Sequence, residues 1–284
     1  MIAEMNDYLT LTAGRFGYDL GVGFVDIQTG QVISINGDTR YHAMSSFKGP
    51  LAAFYLSLLE QGKINSLPTD TKHLIPMLEI SANDHTTCVF QRVGGIAPFN
   101  DWLAAQGFSR EKNFVLKWQD WPCYEGGHTY IPDPDLRYTL GNTALNLPGD
   151  GRLLECPIPQ LPCDKAFAPT ELAVFYAHLY RGEILSASDT ATLLGWMEEG
   201  KNEAVFLNNL PADAHAIAYV KGGTHQSDAI YRVNFFNEAG IIQTDAGAFA
   251  LAIFMQRNPA WPGTYPMSEI ARIAYKHFTE AHRP

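Results

Sequence analysis

What this 284-residue chain has little of narrows its function first. No apolar run is long enough to cross a bilayer, so a membrane span is not expected. Basic charge is short. Twenty Lys and Arg stand against 30 Asp and Glu, a net charge of −10, which argues against nucleic acid or an anionic membrane as partner. The nine histidines form neither His-x-His nor His-Glu-x-x-His, so a metallo-hydrolase has no support and no metal or other cofactor is expected. There are only four cysteines, and they lack the paired spacing of a zinc site. Cys88 lies in an apolar helical stretch and reads as a small buried hydrophobe. One disulfide among Cys123, Cys156 and Cys163 stays open. Internal repeats and low-complexity tracts are missing too. The opening MIAEMNDYLTLTAG has no basic start and no apolar core, so no export signal is expected there.

What is there is ordinary globular composition, 46% hydrophobic and 18% charged, in a chain long enough for one or two domains. Ile2–Arg15 reads as a helix. Leu20–Asp26 and Gln31–Asn36 read as strands around the turn Gln28-Thr29-Gly30, and Phe47–Gln61 as an apolar, mostly buried helix. The chain then reads as helical to about Gly200. Pro169 starts one helix and Ser186-Ala187-Ser188-Asp189 caps another. Ala216–Lys221, Ala229–Phe236 and Ala248–Met255 are strand-like, broken by Gly222-Gly223 and by Asn237-Glu238-Ala239-Gly240, and Ile270–His282 closes as a helix. Strands at both ends around a helical middle imply an α/β (α+β) fold, with one antiparallel sheet built from both chain ends. The expected division is a sheet lobe of residues 1–48 and 205–284 and a helical lobe of 49–204, with the site in the cleft between them.

Three constellations carry chemistry. Ser45-Ser46-Phe47-Lys48 puts a hydroxyl and an amine on one face at a helix mouth, where the amine can take the serine's proton. A second Ser-x-x-Lys, Ser109-Arg110-Glu111-Lys112, follows a helix end at Gly107 in a charged stretch and reads as solvated surface. Ser81-Ala82-Asn83 and Lys221-Gly222-Gly223-Thr224 come later in the chain. Ser-x-x-Lys, Ser-x-Asn and Lys-x-Gly in that order resemble the class A β-lactamases and the related penicillin-binding D,D-peptidases. The flanks GVGFVDIQTGQVISIN, GGIAPFNDWLAAQGF, PTELAVFYAHLYRGEILS and LLGWMEEGK are similar as well. The resemblance covers about residues 18–62, 76–108, 166–201 and 216–256 and fails over 109–165.

That resemblance implies the β-lactamase/transpeptidase-like fold and an acyl-serine mechanism. Ser45 would be acylated, Lys48 would take its proton, Ser81 would relay a proton to the leaving nitrogen and Lys221 would steady the Ser81 oxygen. Asn83 would hold Lys48 and the substrate amide. Gly222 stands where the family usually has Thr or Ser to bind the substrate carboxylate; Thr224, two residues on and on the same strand face, would supply that hydroxyl. Gly222 and Gly223 would let substrate approach the strand edge. The amides of Ser45 and Thr224 would form the oxyanion hole, and Arg232 is a candidate carboxylate anchor.

Deacylation is the departure. The family's Glu-x-x-Leu-Asn has its nearest match in Asn142-Thr143-Ala144-Leu145-Asn146, which puts Asn142 in the glutamate's place. An amide cannot be a general base, so slow deacylation is expected unless Glu125, Asp133 or Asp135 substitutes. The 109–165 insertion carries Trp118, Trp121, Tyr124, His128, Tyr130 and Tyr138. These either form a surface lobe with its own small core or line the cleft and select the acyl side of the substrate. Three readings follow: a β-lactamase-like hydrolase, a D,D-carboxypeptidase or esterase of the same fold, and a non-catalytic penicillin-binding sensor. The resemblance also implies a monomer acting on a small β-lactam or acyl-peptide or ester substrate, in the periplasm or outside the cell.

Overall fold

Both ends of the chain build one sheet. The computed structural model describes residues 1–16, 18–116, 118, 122–123, 128–129, 137–140, 143–146, 154–155, 162–163, 165–198, 204–226, 234–257 and 264–282. Helix α1 (Ile2–Phe16) leads into strands β1 (Tyr18–Asp26), β2 (Val32–Ile35) and the two-residue β3 (Tyr41–His42). Helices α2 (Lys48–Glu60), α3 (Asp70–Glu79), α4 (Asn83–Arg92) and α5 (Ile96–Ala105) follow. Then come short strands: β4 (Phe114–Val115), β5 (Pro122–Cys123), β6 (His128–Thr129), β7 (Arg137–Leu140), β8 (Thr143–Asn146), β9 (Leu154–Glu155), β10 (Pro162–Cys163) and β11 (Lys165–Phe167). Helices α6 (Pro169–Tyr180) and α7 (Ala187–Met197), a 3-10 turn at Val205–Leu207, the long strands β12 (Ile217–His225), β13 (Asn234–Thr244) and β14 (Gly247–Arg257), and helix α8 (Tyr265–Ala281) complete the order.

The main sheet is antiparallel in the order β12-β13-β14-β1-β2. Alternation along its strands sorts side chains between two cores. Val22, Phe24, Leu251 and Ile253 pack with Met5 and Leu9 of α1 and Ile270 and Phe278 of α8. Val25, Ile241, Ala250 and Phe254 turn the other way, toward α2 and α6. Gly23 makes the α6 contact possible, since a Cβ there would stand 2.4 Å from the Pro169 carbonyl oxygen. Helix α2 is buried from Lys48 to Ser57 and apolar on every side, so it runs through the interior rather than over a surface. Pro169 in the first turn of α6 and the Ser186 cap of α7, which accepts the Asp189 amide at 3.2 Å, start those helices where the sequence predicts.

Four local expectations are corrected. Gly222-Gly223 lies inside β12, and 237–240 lies inside β13; the register Lys221↔Ala239, Gly222↔Glu238, Gly223↔Asn237 keeps the ladder unbroken, so pairing overrides the weak strand preference of glycine. The middle of the chain is not purely helical, because β3, β11 and β4 form a small sheet whose two- and three-residue strands leave no periodic signal. Ser109 is not solvated surface: its amide and hydroxyl donate to the Glu171 carboxylate at 2.7 and 2.5 Å, joined by Asn113 Nδ2 at 2.7 Å. Cys88 is buried, but as half of a disulfide with Cys123 rather than as a lone thiol. Its apolar neighbours hid a partner 35 residues away.

That bond ties the stretch after Trp118 to α4. A Cys88→Ser, Cys123→Ser double variant is expected to lose about 2–4 kcal/mol, the usual worth of a cross-link closing a loop of this order. Urea unfolding measures it; an unchanged midpoint would assign the bond no stabilising role.

Candidate active site

The turn carrying Ser45 is pinned from three sides. Asn237 Nδ2 of β13 donates to the His42 carbonyl at 2.7 Å, His42 Nδ1 accepts the Met44 amide at 3.1 Å, and the Ala43 amide donates to the Lys165 carbonyl at 2.9 Å. Met44 sits at φ 48°, where a bulky side chain costs roughly 1–3 kcal/mol. That strained residue turns the half-buried Ser45 into the cleft. The Lys48 amide then donates to the Ser45 carbonyl at 3.1 Å, and α2 begins. Phe47 anchors the turn in the core against Phe90 and Trp118. Among the described residues the Ser45 amide has no hydrogen-bond partner, as an oxyanion donor requires.

Lys48 is fully buried at the first position of an apolar helix. Its Nζ donates to Ser81 O at 2.7 Å, Ser81 Oγ at 3.3 Å and Asn83 Oδ1 at 2.7 Å. Ser81 is left-handed, with φ 59°, which turns its carbonyl to the ammonium. Burial first, then the charges of Lys221 and Lys165, push the Lys48 amine well below the usual lysine range, against a smaller opposing pull from Asp84. The positive end of α2 acts in the same direction. The hydrogen bonds of Lys48 go to Ser81 and Asn83; the Ser45 hydroxyl is not among them.

Strand β12 forms the opposite wall. Lys221 is buried, donates to its neighbour's carbonyl, Gly222 O, at 2.8 Å, and is lowered to about 8 by burial, with Glu238 opposing. Gly223 shares its face, and a Cβ there would stand 2.6 Å from Ser45 N, so only glycine lets this strand pass the serine. Gly222 and the exposed Thr224 occupy the other face. Ser45, Ser81, Asn83, Lys221, Gly222 and Thr224 line one cleft of about 520 Å³, together with Glu79, Asn237 and Glu238. The Glu238 carboxylate is engaged by the amides of Val205 and Phe206 at 3.0 and 2.8 Å. A smaller cavity of about 260 Å³ beside the disulfide holds none of these groups.

Arg232 and Asn142 lie outside the described residues, as do Glu125, Asp133 and Asp135. Trp118 belongs to neither of the arrangements expected for the insertion. Its indole is buried in the main core, donates to Thr87 Oγ1 at 2.8 Å, and lies 5.6 Å from Lys48 Nζ, beneath the site. Trp121, Tyr124 and Tyr130, and the side chains of His128 and Tyr138, lie outside the described residues. Three groups carried no motif: Asn237, Trp118 and the buried Lys165. For Lys165 a faint signal existed, a charge opening the apolar run Ala166-Phe167-Ala168-Pro169. Among the described residues no group of three or more His, Cys, Asp or Glu is placed to hold a metal.

A strained serine turn, a buried lysine and a glycine-edged strand around one cleft have the form of a serine hydrolase of the penicillin-recognising class. The model of the β-lactamase enzyme family matches residues 3–69 and 74–278, and the chain belongs to that family. It is a serine β-lactamase-like hydrolase. No curated protein matches. Among solved structures, a point mutant of PBP-A in an acyl-enzyme complex with penicillin G is similar at 17% identity and TM-score 0.71, over 99% of this chain and 97% of that one. A β-lactamase from Chitinophaga pinensis is similar at 18% identity and TM-score 0.70, over 98% and 99%. The TLA-1 extended spectrum β-lactamase is similar at 17% and 0.71, over 97% and 98%. The fold is therefore that of class A β-lactamases and PBP-A.

The two glycines of β12 should respond differently to a methyl group. Gly223→Ala forces backbone against Ser45 N and is expected to slow labelling of Ser45 by a fluorescent penicillin at least 10²-fold, the worth of one oxyanion donor. Gly222→Ala meets only an ordinary contact at 3.5 Å and should label normally. Equal rates for both would remove the Gly223–Ser45 approach from the reaction.

Proposed function

We propose that Ser45 attacks the carbonyl of a β-lactam, or of an acyl-peptide or ester of similar shape, and becomes acylated. The observation that carries this reading is Lys48: a buried amine, biased toward its neutral form, that links the Ser45 turn to Ser81 and Asn83 in one cleft. Lys48 takes the Ser45 hydroxyl proton as the Ser45 Oγ–carbon bond forms. The Ser45 and Thr224 amides hold the oxyanion, in a role typically worth about 3–4 kcal/mol for one donor. The carbon–nitrogen bond then breaks, Ser81 gives its proton to the leaving nitrogen, and the proton on Lys48 returns to Ser81. Lys221, as a cation, steadies the Ser81 oxygen during that transfer. Asn83 holds Lys48 and the substrate amide, and Thr224 and Arg232 are the candidate contacts for a substrate carboxylate. The lobes 1–48 with 205–284 and 49–204 would act as one catalytic unit.

Deacylation is read as slow. The motif resemblance puts Asn142 in the place of the glutamate that class A enzymes use, and Glu238, a carboxylate of the cleft, is taken up by two backbone amides. The alternatives, a D,D-carboxypeptidase or esterase and a non-catalytic penicillin sensor, share the acylation step and differ in what releases the acyl group. A mutant of PBP-A, a structural neighbour, is seen as an acyl-enzyme complex with penicillin G, so an acyl adduct is the state to look for.

Intact-mass kinetics with a penicillin tests the reading. One acyl adduct per chain should form in a burst, followed by slow steady release. Ser45→Ala should abolish both phases and Asn142→Glu should speed the second. Fast steady turnover by the natural chain would overturn the slow-release reading, and the absence of any adduct would overturn acylation itself. Persistent adduct with no turnover of D-Ala-D-Ala peptides or esters would select the sensor.

The acylation rate should also fall as pH rises through about 8. Lys221 works as a cation in this scheme and loses its proton there, since burial has lowered it. Lys221→Arg keeps its charge and should lack that alkaline limb. An identical limb in that variant would assign it to another group.

A further inference from the structure

We propose that Lys165, which no motif picks out, is a positioning residue of the catalytic centre: a second buried lysine near the Trp118 indole whose charge keeps the proton off Lys48. The inference rests on the reading of Ser45 as a nucleophile served by a neutral Lys48.

Two lysines on one indole need a reason. Lys48 Nζ lies 5.6 Å from the centre of the Trp118 ring system and Lys165 Nζ lies 6.0 Å from it. Lys48 is 0% exposed and Lys165 7%. A single buried cation over tryptophan is ordinary stabilisation. A second one beside it adds repulsion that a merely structural contact would avoid, because like charges act over longer range in a poorly solvated interior. Both partners are also held in place. The Lys165 carbonyl accepts the Ala43 amide, and β11 pairs with β3 and β4, so the residue is tied to the turn that presents Ser45. The indole is fixed by its bond to Thr87 and by Phe47 and Phe90. The Lys165 backbone and the indole are therefore both fastened to the turn that presents Ser45.

The charged groups acting on Lys48 come from three elements: Lys221 of β12 and Lys165 of β11, which disfavour its protonation, and Asp84 of α4, which favours it. Lys221 also lines the cleft and is given to the Ser81 side of the reaction. Lys165 is outside the residues lining that cleft and meets the site at the Trp118 ring. Removing a positive neighbour raises the pKa of an amine. The acid limb of acylation, where Lys48 must give up its proton before it can take one from Ser45, should then move to higher pH.

The test is the pH dependence of the single-turnover acylation rate with a penicillin, in the parent, Lys165→Met and Lys165→Arg. Lys165→Met keeps the length and drops the charge. Its acid limb should move up by about one pH unit, giving roughly tenfold slower acylation at the acid end and an unchanged plateau. Lys165→Arg should keep the parent profile. Superimposable profiles for parent and Lys165→Met, or an equal drop at every pH, would overturn the proposal. A second measurement needs no turnover. In ¹⁵N-lysine spectra the Lys48 Nζ signal should change at a higher pH in Lys165→Met than in the parent, because a positive neighbour has gone. A Lys48 signal that changes at the same pH in both overturns the coupling. The absence of acylation in the parent would instead sink the reading of Ser45, and the spectra would still decide the coupling.

Discussion

One ammonium group organises this molecule. Lys48 begins an apolar helix inside the protein, where a charge without partners is costly and an unmade hydrogen bond is felt in full. Its three hydrogen bonds go to two residues, Ser81 and Asn83. Those acceptors stand at the start of α4, so the starts of α2 and α4 must meet. Ser81 takes a left-handed backbone to bring its carbonyl round. Burial leaves the Lys48 ammonium depleted of solvent and facing like charges, which pushes its pKa well below the usual lysine range.

The second wall obeys a steric rule. Strand β12 passes so close to Ser45 that position 223 has no room for a methyl group. Asn237, paired across from Gly223, reaches over to the His42 carbonyl and so ties the sheet to the turn that holds the serine. Strain at Met44 and at Ser81 flanks the site from both sides. Such backbone persists only where the surroundings over-determine it, here through Phe47 in the core and the bonds of His42.

Much of this was legible in the amino-acid order. The three motifs could be read because the chemistry tolerates few residue types at each place, and the structure puts Ser45, Ser81, Asn83, Lys221, Gly222 and Thr224 along one cleft. The first hairpin, α2, α6 and α7 were readable from their periods, proline and cap. Other features leave no such trace. Strands of two or three residues, as in β3, β4 and β11, have no period to detect. The Cys88–Cys123 bond links two stretches with no spacing signature, and a cysteine among apolar residues reads as packing. Gly222-Gly223 and 237–240 looked like breaks because local preference cannot see a partner strand. By sequence Trp118 fits either a separate lobe or the lining of the cleft, yet its ring packs in the main core near Lys48. A single charge before an apolar run, as at Lys165, has no pattern that marks it. Arg232 and Asn142 lie outside the described residues.

The central claim is covalent chemistry at Ser45, with its oxyanion held between the sheet edge and the strained turn. A crystal structure of the protein after exposure to a penicillin tests it most directly. The account predicts continuous density from Ser45 Oγ to an acyl carbon, with the carbonyl oxygen within about 3 Å of both the Ser45 and the Thr224 amide nitrogen. A penicillin bound without a bond to Ser45, or an acyl oxygen pointing away from those two amides, would contradict it.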